Sequence, residues 1–399
     1  MIPVRRARRG NGLVNKRITG SAASWPIIIA LSALDAAGYS VIAPVLPRIS
    51  DATGAGPAVI GALVATFPAG MLFGFVAAAP GISRGRTRTV LVVSLLVIAA
   101  GCIGFVVSDD LGVYFAARLV MGFGSGGLWM GVTFASLEHS PGNEYAGMSR
   151  MLAAYSIGGV LGPALGALGG VRAPFTAYLA LVLASVPLAL LLAPPAQRKT
   201  FQADRAALRV RGFWISCGAV LYAVIVLGLI EGVLPLHFDT HLGQAEIGGL
   251  YAGLALVFAV GALAAGQLRP RIVVPAGVVL TVIGVAWAGI GESVPVWIAA
   301  LVVTGIGFSF AETGSVGILL DAVGTERIVT AMLVWSQIGI AGYLIGPLAG
   351  GGVAEGLSFA WLGLVPLAAA VALAVLVVGL RPQAAATDAS TAAARKGTR

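Results

Sequence analysis

Long apolar runs alternate with short polar or glycine- and proline-rich interruptions along this chain. A helix needs about 20 consecutive apolar residues to cross a membrane, and most of the runs reach that length. The pattern therefore predicts an all-α membrane protein with twelve transmembrane helices. The predicted crossings lie near residues 25–47, 57–80, 89–107, 111–135, 147–170, 174–194, 213–236, 247–267, 272–291, 294–320, 328–352 and 357–380.

The composition agrees with this pattern. Of the 399 residues, 58% are hydrophobic and only 10% are charged, whereas a soluble domain has roughly 25% charged residues. Twelve crossings of about 20 residues occupy roughly 240 positions, which excludes a large soluble domain. The net charge of +9 does not indicate a nucleic acid partner, because the basic residues lie in loops and not on one face of a soluble fold.

The basic residues predict the orientation instead. If the N-terminus is cytoplasmic, all but three of the 25 Lys and Arg fall on the cytoplasmic side; Arg48 and Arg172 face outward, and Arg118 lies within a helix. Cytoplasmic loops of membrane proteins carry such an excess of Lys and Arg. We therefore expect a multi-pass protein of the inner (plasma) membrane with both termini in the cytoplasm.

The longest interruption of the apolar pattern divides the chain into six crossings on either side. It carries five basic residues between 198 and 211, so it is interpreted as a linker, and it also suits an anchor on the inner leaflet. We expect a basic cytoplasmic arm (1–24), an N-terminal six-helix bundle (25–194), the cytoplasmic linker (195–212), a C-terminal six-helix bundle (213–380) and a cytoplasmic tail (381–399).

The two halves share a glycine–proline motif. In the fifth crossing it reads Gly158-x-x-x-Gly162-Pro163-x-x-Gly166, and 184 residues later it recurs as Gly342-x-x-x-Gly346-Pro347-x-x-Gly350. Three other matches keep nearly the same offset and the same order. They are Val45-Leu46-Pro47 with Val233-Leu234-Pro235, Ile60-Gly61 with Ile247-Gly248, and Gly122-x-Gly124 with Gly305-x-Gly307. These matches predict two pseudo-symmetric bundles. The glycines allow close helix approach and the prolines allow kinks, which suits either pivoting helices or tight packing alone.

Four ionisable side chains interrupt the apolar interiors of the predicted helices. Each costs about 2.5–3.5 kcal/mol at a helix centre and so needs a compensating role. Asp35 suits a proton carrier or a binding site for a cation, or it caps a helix or pairs with Arg118. Glu231 suits an interfacial or gate position. Glu312 follows Phe308 and Phe310, whose rings suit an organic cation, although it also suits a carboxylate turned toward the cytoplasmic exit.

Several aromatic residues lie deep in the predicted helices and are candidates for a substrate cavity, with helix packing as the alternative role of each. With the acids, the candidate cavity set is Tyr39, Trp129, Tyr155, Tyr222, Glu231, Phe308, Glu312 and Trp335.

Motifs for catalysis are missing from the sequence: it has no phosphate loop, no metal-ligand cluster and no nucleophile elbow. We therefore expect no enzyme activity, no cofactor and no bound metal. Energy for any transport would come from an ion gradient or a substrate gradient, or would not be supplied at all.

The motifs resemble those of the major facilitator superfamily, and within it the twelve-helix drug/proton antiporters that include tetracycline exporters. The first crossing places an acidic residue, Asp35, before the ending Pro44-x-Leu46-Pro47; the fourth contains Arg118-x-x-x-Gly122-x-Gly124. The resemblance implies that Asp35 and Arg118 take part in proton coupling. It also implies that the segment from Gly158 to Gly166 is the antiporter motif of the fifth helix, although Ser149 stands where that motif has its first glycine.

The loop after the second crossing departs from the family pattern. Gly85 and Arg86 match the family's Gly-Arg, but Ile82 stands where the family has an acidic residue that helps to latch one conformation. The resemblance therefore implies membership in the family with an altered latch.

Together these features predict a proton-coupled exporter of small amphiphilic or cationic compounds that works by alternating access. The alternatives are a proton-linked importer or facilitator of a small metabolite and, more remotely, a non-transporting receptor or scaffold. The expected partners are the small-molecule substrate, protons and the lipid bilayer, and we expect a monomer.

Overall fold

The structure, a computed structural model, describes residues 11–140, 144–193, 205–323 and 328–380. Within these ranges the chain forms α-helices joined by short turns and 3₁₀ segments, and no strand, which confirms the predicted fold class. The helices are α1 (Asn11–Ser40), α2 (Leu46–Thr53), α3 (Pro57–Ser83), α4 (Thr87–Val107), α5 (Leu111–Glu138), α6 (Glu144–Gly166), α7 (Arg172–Leu191), α8 (Arg211–Phe238), α9 (Gln244–Ala265), α10 (Pro270–Ile290), α11 (Val294–Val323), α12 (Ile328–Gly356) and α13 (Leu364–Gly379).

The first crossing is broken into two helices. α1 ends at Ser40, a 3₁₀ turn covers Ala43–Val45, and α2 continues from Leu46. Pro44 and Pro47 cause the break because proline has no backbone N–H to donate to the preceding helical turn. With α1 and α2 counted as one crossing, the described helices make the twelve predicted crossings.

The outer surface of the bundle suits lipid. Within the described ranges, eleven segments are long and apolar enough to cross a membrane, and α6, with 23 residues, completes the set. Large apolar side chains such as Phe73, Leu191 and Leu263 are about 70% exposed on the outside of the bundle. A water-soluble protein rarely exposes so much apolar surface, so the chain is a multi-pass membrane protein.

Parts of the predicted segment boundaries fall outside the described residues. This applies to residues 1–10 of the arm, residue 194 at the end of the first bundle, 195–204 of the linker and the tail from 381 onward. α1 begins at Asn11, inside the segment predicted as the arm, because a polar helical turn leaves no mark in an apolar pattern. A 3₁₀ turn, Arg205–Arg209, lies within the predicted linker.

The two halves have the same internal packing. In the first half α1 packs on α6, α3 on α5, and α4 on both α5 and α7; in the second half α8 packs on α12, α9 on α11, and α10 on both α11 and α13. Each helix pair of the first half has its counterpart in the second half, at the sequence offset that also separates the repeated motifs. The halves meet through α3 with α12 and through α6 with α9, so the structure confirms two pseudo-symmetric bundles.

The glycine–proline motif lies at corresponding helix contacts in both halves. A β-carbon on Gly158 would collide with the Ala33 carbonyl of α1, and one on Gly342 would lie 2.9 Å from the Leu221 carbonyl oxygen of α8. Close approach of this kind needs a residue without a side chain. The motif therefore brings α6 onto α1 and α12 onto α8.

The halves are in close contact at the end of the bundle that holds the loops α2–α3, α6–α7, α8–α9 and α12–α13, which we name the distal end. There a β-carbon on Gly351 of α12 would lie 2.5 Å from the Pro57 carbonyl oxygen of α3, and one on Gly248 of α9 would lie 2.8 Å from the Pro163 carbonyl oxygen of α6. The distal end is closed in this conformation. We name the opposite end, where α1 begins and α13 ends, the terminal end.

Candidate functional site

Asp35 lies in the interior of α1 and is completely buried. Its Oδ1 accepts a hydrogen bond of 2.6 Å from the Ser125 hydroxyl of α5, while Oδ2 is enclosed without a hydrogen-bond partner. A buried charge is costly unless it is paired and hydrogen-bonded. Within the described part of the chain, one of the two carboxylate oxygens of Asp35 is thus satisfied and the other is not.

Arg118 is also completely buried, on α5 against the end of α1. Its guanidinium donates to the carbonyl oxygens of Gly38 at 3.2 Å and Tyr39 at 3.5 Å, and lies 4.4 Å from the centre of the Phe67 ring. The last carbonyls of a helix have no intrahelical partner and attract a cation. The break in α1 therefore creates the site that holds Arg118.

The two residues predicted to act together have different described partners. Asp35 is held by Ser125, and Arg118 by backbone carbonyls and an aromatic ring. The acidic side chain within electrostatic range of Arg118 is Glu231, on α8 of the other half. Arg118 thus contacts the end of α1 in its own half and lies within electrostatic range of Glu231 in the other half.

Glu231 faces the first half from α8. Its side chain is partly accessible, but its Oε2 atom is enclosed without a hydrogen-bond partner. Besides Arg118, Tyr39 of α1 and Tyr155 of α6 lie within its electrostatic range. Glu231 is therefore a second incompletely satisfied carboxyl in the middle of the bundle.

Tyrosines connect the acidic residues. Tyr155 lies within electrostatic range of both Asp35 and Glu231, and Tyr343 of α12 within range of both Glu231 and Glu312. The three acids, from α1, α8 and α11, are thus linked through these two tyrosines. We name this set of residues the central site; it comprises Asp35, Arg118, Glu231 and Glu312 with Tyr39, Tyr155 and Tyr343.

Aromatic pairs border the central site. The rings of Tyr39 and Tyr343 lie 4.3 Å apart between centroids and join α1 to α12 across the two halves. The Trp129 and Tyr155 rings meet edge to face at 4.9 Å, between α5 and α6. The hydroxyl of Tyr39 is enclosed without a hydrogen-bond partner. The site therefore combines carboxylates with aromatic faces.

Three predicted cavity residues, Tyr222, Phe308 and Trp335, make packing contacts within the second half. Tyr222 is 1% exposed, and its hydroxyl meets the Thr281 hydroxyl at 2.5 Å. Phe308 packs on Phe258 with 4.5 Å between ring centroids. Trp335 belongs to an apolar cluster of the second half against which Tyr343 also packs, and its indole nitrogen is enclosed without a hydrogen-bond partner among the described residues. For Tyr222 and Phe308, packing on neighbouring helices of the same half accounts for their burial.

Sequence reasoning missed three polar residues in the interior of the bundle. Ser125 holds Asp35, Tyr343 lies between two acids, and the amide nitrogen of Gln337 on α12 is enclosed without a partner. A usable signal existed for Ser125, which follows Arg118 by seven residues and so lies on the same helix face two turns later. Tyr343 directly follows Gly342 of the repeated motif.

The loop between α3 and α4 lies at the terminal end. Gly85 has a φ of 68°, which favours glycine, and its N–H donates to the Ile82 carbonyl at 2.8 Å. Ile82 is 6% exposed in an apolar cluster with Met130 and Phe134, and Leu333 from the other half packs against this cluster. Where the family has an acid, this chain therefore has an apolar contact that extends to the opposite half.

Two pseudo-symmetric helical bundles that enclose ionisable groups at their interface form the architecture of a secondary transporter. The chain belongs to the Major Facilitator Superfamily, whose sequence model matches residues 28–272 and 217–399. No curated protein matches the sequence significantly.

Solved structures of transporters share the fold. A bacterial homologue of the human lysosomal transporter Spinster, inward-facing and occupied, is 15% identical with a TM-score of 0.72, over 90% of this chain and 96% of that one. The nucleoside transporter NupG is 14% identical with a TM-score of 0.69, over 89% and 98%. The human organic anion transporter MFSD10 is 16% identical with a TM-score of 0.62, over 88% and 99%. The chain is thus a membrane transporter and not an enzyme.

Proposed function

We propose that the protein is a proton-coupled transporter that exports small amphiphilic or cationic compounds by alternating access. The observation that carries this proposal is the central site, where Asp35 and Glu231 each present a carboxylate oxygen without a hydrogen-bond partner among the described residues. Nearly all buried polar atoms in proteins have a hydrogen-bond partner. Buried carboxylate oxygens that have no such partner, and that lie in the two halves of one site, suit a place where a proton or a substrate binds.

The charge of the central site favours a cation. It holds three carboxyl groups and one guanidinium, and Arg118 lies near Glu231, which leaves Asp35 and Glu312 without a basic partner in the site. Aromatic faces such as those of Tyr155 and Trp129 attract organic cations. An amphiphilic cation would place its charge near the carboxylates and its apolar part against the rings.

The proton and the substrate cation compete for the negative charge of Asp35. This competition couples the inward movement of protons to the outward movement of substrate. A substrate cation that enters from the cytoplasm displaces the proton from Asp35, and this proton leaves to the cytoplasm. When the site opens outward, a proton from outside binds Asp35 and displaces the cation. One proton thus moves inward for each substrate that moves outward, and the enclosed carboxylate is neutralised in both directions of movement.

Arg118 has a positioning role in this scheme. It ties the broken end of α1 to α5 through the Gly38 and Tyr39 carbonyls, and its charge balances that of Glu231. The terminal end would face the cytoplasm, because the basic loops lie there, and the membrane would be the inner (plasma) membrane. We further propose that a single chain carries out this cycle.

Transport by reconstituted vesicles tests the proposal. Protein in proteoliposomes with an acidic interior should accumulate the cationic dye ethidium while protons leave, and Asp35→Asn should abolish both movements. Tyr222→Phe serves as the matched control, since it alters a buried polar residue outside the central site. Dye-driven proton movement that persists unchanged in Asp35→Asn would overturn the assignment, and dye movement that is indifferent to the proton gradient would overturn the coupling.

A further inference from the structure

Gln244, the first residue of α9, connects the two halves at the distal end. Its side chain is 6% exposed, and its amide nitrogen donates to the carbonyl oxygens of Gly166 at 2.7 Å and Gly170 at 2.9 Å. Both acceptors belong to the first half, where Gly166 ends α6. One side chain thus uses both of its amide hydrogens on the opposite half.

This contact is a helix cap supplied by the other half of the protein. The last carbonyls of a helix lack intrahelical partners and carry a partial negative charge, so the donor group of Gln244 has the favourable sign. Gly170 has a φ of 64°, and this turn brings its carbonyl to the same amide. The Oε1 atom of Gln244 is enclosed without a partner, so the residue is held by its donor atoms alone.

The corresponding junction in the other pair of helices also has a cap, but a weaker one. Glu355 of α12 accepts a hydrogen bond of 2.8 Å from the Ala58 N–H at the start of α3. That contact is exposed to solvent, where a hydrogen bond contributes little, whereas the Gln244 contacts with α6 are buried. Of the two junctions, the one between α6 and α9 therefore contains the stronger polar connection.

We name the contact between the two halves at the distal end the distal gate, and we propose that Gln244 is a positioning residue of this gate. Gln244 holds α6 and α9 together while the distal end is closed, and it must release both carbonyls each time that end opens. This inference rests on one element of the proposed function, namely that the two halves separate at the distal end during transport. It depends neither on proton coupling nor on the class of substrate.

Three substitutions separate this role from simple packing. Gln244→Leu keeps the bulk and removes the donors. Gln244→Glu turns a carboxylate toward the carbonyl oxygens and the negative end of α6. Gln244→Lys keeps donors and adds a charge that the helix end favours. If only the volume of the side chain matters, the lysine and glutamate variants should behave alike.

The opening of the gate can be measured as a distance between spin labels on the two halves. Cysteines introduced at Ala173 and Ala360, both exposed at the distal end, would carry the labels, while the native cysteines 102 and 217 are buried. We expect the ratio of open to closed distal ends to rise about tenfold in Gln244→Leu, because two buried hydrogen bonds are lost. The rise should be larger in Gln244→Glu, and Gln244→Lys should stay within about twofold of the parent protein.

Gln267, exposed at the other end of α9, offers the matched control, and its leucine and glutamate variants should leave the distances unchanged. Unchanged distances in Gln244→Leu and Gln244→Glu would overturn the proposal, as would an equal opening in Gln244→Lys and Gln244→Glu. If the leucine variant does not fold, the lysine and glutamate pair decides. The experiment needs neither substrate nor proton gradient, so its outcome and that of the proton-flux test are independent.

Discussion

The contact between α3 and α12 at the distal end allows a quantitative prediction for Gly351→Ala. The new β-carbon would lie 2.5 Å from the Pro57 carbonyl oxygen and 3.0 Å from the Ala58 Cα, whereas ordinary contact begins near 3.4 Å. The difference, about 0.9 Å, must come from a separation of the two helices, because backbone atoms on α3 cannot rotate away as a side chain would.

The cost falls on the closed conformation alone. Overpacking of a well-packed contact typically costs about 1–3 kcal/mol, and the contact disappears when the halves separate at the distal end. The equilibrium should therefore shift about 5- to 150-fold toward the distal-open conformation.

The spin-label distance between positions 173 and 360 measures this shift. The neighbouring glycine provides the matched control: a β-carbon on Gly352 would meet nothing within 4 Å, so Gly352→Ala should leave the distance distribution unchanged. Equal distributions for the Gly351→Ala and parent proteins would refute the reasoning, and so would an equal shift in both alanine variants.

Three further substitutions test other contacts. Ile82→Ala removes apolar contacts from the cluster that includes Leu333, so it should lower stability by about 2 kcal/mol, seen as a lower Tm; an unchanged Tm would contradict the packing of Ile82. Tyr222→Phe removes the hydrogen bond to Thr281 at a cost of about 1 kcal/mol and should leave ethidium transport intact; lost transport in a folded variant would place Tyr222 in the transport pathway after all. Gly158→Val forces a side chain against α1 and should lower Tm, at a cost of about 1–3 kcal/mol; full stability would mean that α6 and α1 are not in close contact.

The number and order of the helices were predictable because each crossing needs its own apolar run. The repeat was also visible, since Gly342 and Gly346 occupy the places of Gly158 and Gly162. The break of the first crossing was not predicted, although Pro44 and Pro47 cause it. An apolar run reports burial in lipid and carries no information on backbone hydrogen bonds within it.

The acids of the central site were predictable because a charge within an apolar helix is costly and therefore conspicuous. Their partners were not, because pairing depends on how each helix is rotated and on its depth relative to its neighbours. A helix that is apolar all round gives little sign of which face points inward. For this reason Ser125 was not predicted as the partner of Asp35, and Tyr343 was missed as well.

The most direct test of the proposed exchange is proton release from purified protein in weakly buffered solution. Addition of ethidium should release about one proton for each cation bound, and Asp35→Asn should release none, whereas Tyr222→Phe should release protons as the parent protein does. Binding without proton release in the parent protein, or undiminished release in Asp35→Asn, would contradict the exchange of proton and substrate at Asp35.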